Sequence, residues 1–84
     1  MKKIEIYTKD YCTFCHRAKD LLRVKGAEFT EYDVTNDYLK EQEMRERSGQ
    51  ALVPEIFVDD QLLGGCDDLF DLEAAGTLEE HLGL

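Results

Sequence analysis

Cys12-Thr13-Phe14-Cys15 places two thiols three residues apart, between a short apolar strand pattern and a strong helix pattern. Thiols so spaced can perform disulfide exchange, in which one attacks as a thiolate and the other closes an intramolecular bond. At the start of a helix the first backbone N–H groups lack partners and the macrodipole presents partial positive charge, so a thiolate is favoured over a thiol. An ordinary thiol, with a pKa of about 8.5, is only a few per cent ionised at neutral pH, whereas helix N-termini and C-x-x-C motifs can bring the value to about 3.5 to 7.5. Cys12 is therefore the expected nucleophile, with a depressed pKa. Cys15 follows on the same helical face, at roughly 5 to 6 Å between Cβ atoms, and is the expected resolving thiol.

These thiols need a strand behind them and a helix ahead. Residues 3 to 7, Lys-Ile-Glu-Ile-Tyr, alternate as a half-buried strand does, and residues 13 to 25 carry Phe14, Ala18, Leu21 and Leu22 at helical spacing. Gly26 ends that helix, and residues 28 to 34 read as a second strand. Thr35-Asn36-Asp37 opens a second helix over about residues 37 to 47, amphipathic through Tyr38, Leu39, Gln42 and Met44, which ends at Ser48-Gly49 and covers a sheet. Ile56-Phe57-Val58 is a continuous apolar run, as in a strand buried on both faces, and Asp59-Asp60 turns it into Gln61-Leu62-Leu63 as a hairpin. A third helical pattern runs from Cys66 to about Ala75, and Thr77-Leu78-Glu79-Glu80 has the spacing of a capping box before a last helical turn. The order is βαβαββα with a short terminal helix. A parallel first pair and a later hairpin predict an α/β fold with a four-stranded mixed sheet flanked by helices.

With 84 residues, 43% hydrophobic and 35% charged, the chain reads as one small globular domain over residues 1–84, with no repeat or linker. No segment approaches the roughly 20 apolar residues of a membrane helix, and the first strand begins at once without a signal-peptide pattern, so a cytoplasmic location is expected. Three cysteines, two of them in C-x-x-C, do not resemble a secreted disulfide framework. The net charge of −9 is unevenly spread: residues 1 to 27 hold seven basic against three acidic side chains, residues 28 to 84 three against sixteen. Lys9, Arg17, Lys19, Arg23 and Lys25 thus surround or follow the thiols, which favours a thiolate and an anionic substrate, although Arg23 and Lys25 read better as a solvated helix face. The overall acidity argues against nucleic acid as a partner.

Four residues of C-x-x-C are also half of a zinc site. Only Cys66, His16 and His81 remain as further ligands, with no second close-spaced pair, and His16 reads as a surface helix residue. A static disulfide in an interaction module fits poorly with a pair at a positively polarised helix terminus.

Further motifs decide between these readings. Tyr7-Thr8-Lys9 precedes the thiols, Cys15-His16-Arg17-Ala18-Lys19 follows, and then come Leu52-Val53-Pro54-Glu55-Ile56-Phe57-Val58 and Gly64-Gly65-Cys66-Asp67-Asp68-Leu69. Together they resemble the small bacterial dithiol glutaredoxins from end to end. The resemblance implies a thioredoxin-like (glutaredoxin) fold and a monomeric glutathione-dependent thiol-disulfide oxidoreductase, metal-free in that role, with glutathione as reducing co-substrate. In that family the first cysteine, here Cys12, takes the glutathionyl group from a glutathionylated protein, and the second, here Cys15, permits reduction of protein disulfides. Glutathione reductase and NADPH are implied upstream.

The resemblance also implies a glutathione site. Lys9 would meet a carboxylate of the tripeptide, Phe14 and Leu52 would flank it, and Val53 would pair with its backbone beside a cis Pro54. Gly65 would allow close approach, and the N–H groups of Cys66 and Asp67 at the third helix would receive the γ-glutamyl carboxylate, with the Asp67 side chain on its ammonium group. Asp67 and Asp68 are also candidate helix caps, and the Cys66 thiol reads as structural. The chain departs from the commonest dithiol pattern: Thr13 replaces a proline, Phe14 a tyrosine and Leu52 a threonine. Some relatives lacking that proline bind a [2Fe-2S] cluster between two protomers through the first cysteine and glutathione, and this is the alternative function that the resemblance carries.

Overall fold

The computed structural model describes all of residues 1–84. Strand β1 (Ile4–Thr8) leads into helix α1 (Thr13–Val24), then β2 (Thr30–Asp33), α2 (Tyr38–Ser48), β3 (Glu55–Val58), β4 (Gln61–Gly64), α3 (Cys66–Ala74) and α4 (Leu78–Leu82). The four strands form one sheet in the order β2-β1-β3-β4. β1 runs parallel to β2, with Ile6 opposite Glu31, and antiparallel to β3, with Ile6 opposite Ile56. β3 and β4 form the expected hairpin, with a register shift at Ile56/Phe57. Its turn residues Asp59 and Asp60 both have positive φ, 49° and 65°, the geometry that two-residue hairpins require. No helix is long and apolar enough to cross a membrane.

β1 differs from its half-buried expectation. All five of its residues are buried, because this central strand is covered on both faces. Ile4 and Ile6 enter the larger core with Ala18, Leu22, Ile56, Leu69, Leu78 and Leu82. Tyr7 belongs to a smaller core on the other face, with Val34, Met44 and Phe57. Polar alternation in this strand separates two covered faces rather than a wet one from a dry one.

Two other expectations are corrected. Phe14 is exposed, and the buried stripe of α1 is Cys15, Ala18, Lys19 and Leu22; the stripe begins one residue later, so the second thiol, not the aromatic ring, points inward. α2 lies on the surface but buries only Met44, with Tyr38 and Leu39 exposed. Its attachment is largely polar, through Arg47 and Glu43 to β1.

The Thr77 capping box does not form, since no side chain caps α4 and the Thr77 hydroxyl instead donates to the Leu72 carbonyl. The reach-back contact occurs at α3, where Asp68 Oδ2 accepts the Gly65 N–H at 2.9 Å. Gly64, just before it, has a φ of +135°, and a Cβ there would overlap the Asp68 carboxylate. Gly64→Ala should therefore strain the backbone and displace the cap together, lowering stability by about 2 to 3 kcal/mol. Urea denaturation measures this, and an unchanged midpoint would contradict it.

Candidate functional site

Cys12 is the N-cap of α1, in extended conformation (φ −86°, ψ 108°). Its backbone N–H donates to the Lys9 carbonyl at 3.1 Å, and its carbonyl accepts from His16 N at 3.2 Å, which fixes the thiol at the mouth of the helix. The Cys12 sulfur accepts the backbone N–H of Cys15 at 3.1 Å. The Cys12 thiol also lies 3.8 Å from the carbonyl oxygen of Val53, which ties the end of α1 to the segment before β3.

All three cysteines are free. Cys15 is completely buried, and burial, reinforced by the neighbouring Cys12 sulfur, pushes its thiol up to about 12. It therefore stays protonated and hidden through neutral pH while Cys12 is partly open to solvent. Cys66 is also buried, within the larger core, and burial raises its thiol above the ordinary range.

Beside Cys12 lies a groove lined by Phe14, Leu52, Val53, Pro54, Gly65, Cys66 and Asp67, and further by Gln50, Glu55 and Asp68. The Val53–Pro54 peptide bond is cis. A Cβ on Gly65 would stand 3.4 Å from the Pro54 carbonyl oxygen, so glycine lets the start of α3 approach that segment closely. Tyr11, Phe14 and Leu52 are all exposed around the thiol, and Arg17 lies over the Phe14 and Phe70 rings at 5.8 and 5.2 Å.

Eight of the ten residues singled out in the sequence thus sit in the groove wall or, for Cys12, beside it; Cys15 lies beneath. Lys9 is the one placed apart from the wall. Its ammonium group is 3.0 Å from Glu41 Oε2 of α2, and this hydrogen bond raises it above the ordinary lysine range. Gln50 and Glu55 were not foreseen. Glu55 directly follows Val53-Pro54, which was a usable signal; nothing in the sequence marked Gln50. His16 sits on the exposed face of α1, its Nε2 2.8 Å from the Asp10 carbonyl oxygen. No group of three or more His, Cys, Asp or Glu side chains is arranged to hold a metal ion.

A mixed four-stranded sheet carrying a C-x-x-C pair at a helix N-terminus, faced by a cis-proline segment, defines a thioredoxin-like dithiol site. The comparisons narrow the class. The glutaredoxin family model matches residues 4–63. Glutaredoxin 3 of Escherichia coli K12 is 51% identical over 82 residues, covering 98% of this chain and 99% of that protein. A probable glutaredoxin of Synechocystis is 49% identical over 95% of this chain and 92% of its own. Among solved structures, a glutaredoxin from Brucella melitensis superposes with a TM-score of 0.83 at 44% identity, covering 100% of this chain and 94% of that one. A buckwheat glutaredoxin–glutathione complex superposes at 0.86 with 25% identity, over 98% and 77%. The chain belongs to the glutaredoxin family of thiol-disulfide oxidoreductases.

Proposed function

We propose that the chain reduces glutathione mixed disulfides, and through its second thiol protein disulfides, with glutathione as the electron donor. The single observation that carries this reading is the Cys12 sulfur, held at the N-cap of α1 by the Cys15 N–H at 3.1 Å and opening beside the Val53-Pro54 groove.

The Cys12 thiolate attacks the glutathione sulfur of a glutathionylated protein. The Cys12–glutathione disulfide bond forms as the substrate disulfide breaks, and the protein leaves as a thiolate that takes a proton from water. A free glutathione thiolate then attacks the glutathione sulfur held on Cys12, which releases glutathione disulfide and restores the Cys12 thiolate; one glutathione is consumed for each protein thiol released, the other half of the glutathione disulfide coming from the substrate. Val53 supplies backbone groups for the bound peptide, Gly65 the room for it, and the N–H groups of Cys66 and Asp67 receive a carboxylate at the start of α3. Phe14 and Leu52 flank the ligand and Pro54 closes the groove behind it. Lys9 meets the other carboxylate by exchanging its partner Glu41. In the dithiol route Cys15 loses its proton as it attacks the mixed disulfide on Cys12, which expels a reduced thiol and leaves the Cys12–Cys15 disulfide for glutathione to reduce.

The test is glutathione-dependent reduction of a small mixed disulfide, coupled to NADPH oxidation by glutathione reductase, on protein purified without oxygen. Turnover saturating in glutathione is expected. One chain offers one accessible thiol, so a cluster would draw its other ligands from glutathione and a second copy. An inactive protein with a glutathione-dependent visible chromophore would replace the enzyme reading by cluster carriage.

A further inference from the structure

The ligand carboxylate assigned to Lys9 has a rival inside the chain. Lys9 lies three residues before Cys12, and its carbonyl accepts the Cys12 N–H at 3.1 Å, so its side chain leaves the turn that carries the nucleophile. Its ammonium group is 3.0 Å from Glu41 Oε2, and the two side chains are only 22% and 19% exposed. Arg17, which follows the thiols on α1, lies against the Phe14 and Phe70 rings instead of a carboxylate.

Glu41 stands in the first turn of α2, where the helix dipole favours its charge. The hydrogen bond from Lys9 and the charges of Lys9 and Arg45 outweigh its partial burial and hold its carboxyl below the usual range. It is therefore a fixed negative charge at neutral pH. Its other oxygen, Oε1, is 3.7 Å from Arg45 Nη2, one turn further along α2, so Glu41 keeps a cation when Lys9 turns to a ligand. Until then an arriving carboxylate meets a neutralised pair rather than a free ammonium group, and gains correspondingly less.

We propose that Glu41 is a specificity-determining residue: by occupying Lys9 it sets how strongly the site distinguishes a thiol peptide with a free C-terminal carboxylate from one without. The proposal deepens the glutathione reading and rests on it. Lys9 still favours the free acid, because Arg45 offers Glu41 a second partner; Glu41 makes that preference shallower than a free lysine would. A partly exposed ion pair changes an equilibrium by up to about fivefold at low ionic strength, which bounds the discrimination that Glu41 withholds.

The experiment crosses the charge at position 41 with the charge on the ligand. One cysteine peptide is disulfide-bonded either to glutathione or to γ-glutamylcysteinylglycinamide, which lacks only the C-terminal charge. The second-order rate at which reduced protein releases the peptide thiol is measured at low ionic strength for wild type, Glu41→Gln, Lys9→Gln and the double variant. Any effect of a substitution on Cys12 itself is common to both substrates and cancels in their ratio. The acid-to-amide ratio should exceed one in wild type and rise about threefold to fivefold in Glu41→Gln. It should fall in Lys9→Gln, and adding Glu41→Gln to that variant should not restore it. A ratio unchanged in Glu41→Gln would overturn the proposal, as would equal changes with both substrates, the mark of a merely structural role. A rise of the same size with and without Lys9 would also overturn it, since Glu41 would then not act through Lys9. Calorimetric titration with the S-methyl forms of the two thiols reads the same ratio without chemistry. A wild type that released neither peptide would remove the oxidoreductase reading, and the binding ratio would then decide the role of Glu41; no binding of either form by any of the four proteins would overturn both.

Discussion

Cys12→Ser should lose about a thousandfold or more in glutathione-coupled reduction of a mixed disulfide, whereas Cys15→Ser should stay within about threefold of wild type. The first change removes the only accessible thiol. The second removes a side chain that is fully buried and whose thiol is pushed up to about 12, so it does not compete as a nucleophile at neutral pH. What steadies the Cys12 sulfur is the backbone N–H of residue 15, and a serine keeps it. Reduction of a protein disulfide by the dithiol route should instead fail in both variants, because the intramolecular step needs a sulfur at position 15. Rates from both substrates, taken with the same NADPH coupling, separate the two roles. A Cys12→Ser protein that retained turnover would remove Cys12 from the reaction.

Much of this site was readable in the sequence, for local reasons. The C-x-x-C spacing, the apolar positions after it and Gly26 beyond them place a thiol at a helix start whatever the remainder of the chain does. Asp59-Asp60 between two apolar runs marks the hairpin by turn chemistry alone. The failures come from contacts across the fold. Glu5 and Tyr7 alternate with Ile4 and Ile6 as solvent-facing residues would, but both are buried: Tyr7 packs with Val34, Met44 and Phe57, and Glu5 meets Arg47 of α2 and Tyr32 of β2. Thr77 has a capping-box sequence, but its hydroxyl finds the Leu72 carbonyl instead. Gln50 and Glu55 meet in the groove wall through a hydrogen bond between side chains, and Lys9 is drawn to Glu41, which lies 32 positions further along the chain. No periodicity encodes such pairs.

Arg47→Ala should be the most destabilising single change outside the apolar core, at about 2 to 4 kcal/mol near neutral pH. Arg47 Nη2 donates to Glu5 Oε1 at 3.1 Å, and Nη1 donates to the Tyr7 hydroxyl at 2.8 Å and to Glu5 Oε2 at 3.3 Å. Its guanidinium also lies 4.0 Å from the Phe57 ring centroid. Glu5 is 4% exposed. Burial alone would raise its carboxyl, but hydrogen bonds from Arg47 and Tyr32, with the charges of Arg47 and Lys3, together hold it below the usual range. A carboxyl lowered on folding contributes stability above its unfolded pKa, of about 4.3, and loses it as pH falls through the lower folded value. Removing Arg47 takes away both a hydrogen bond and a charge, so burial dominates and the sign reverses: Glu5 then destabilises the fold near neutrality and is relieved by protonation. The gap between wild type and Arg47→Ala, read from urea denaturation across the acid range, should therefore narrow as pH falls through the carboxylate range. Arg47→Lys keeps the charge but loses the two-pronged contact and the stacked plane, and should fall between the two. A gap that stayed constant with pH would assign Arg47's contribution to its packing on Phe57, not to the buried carboxylate it partners.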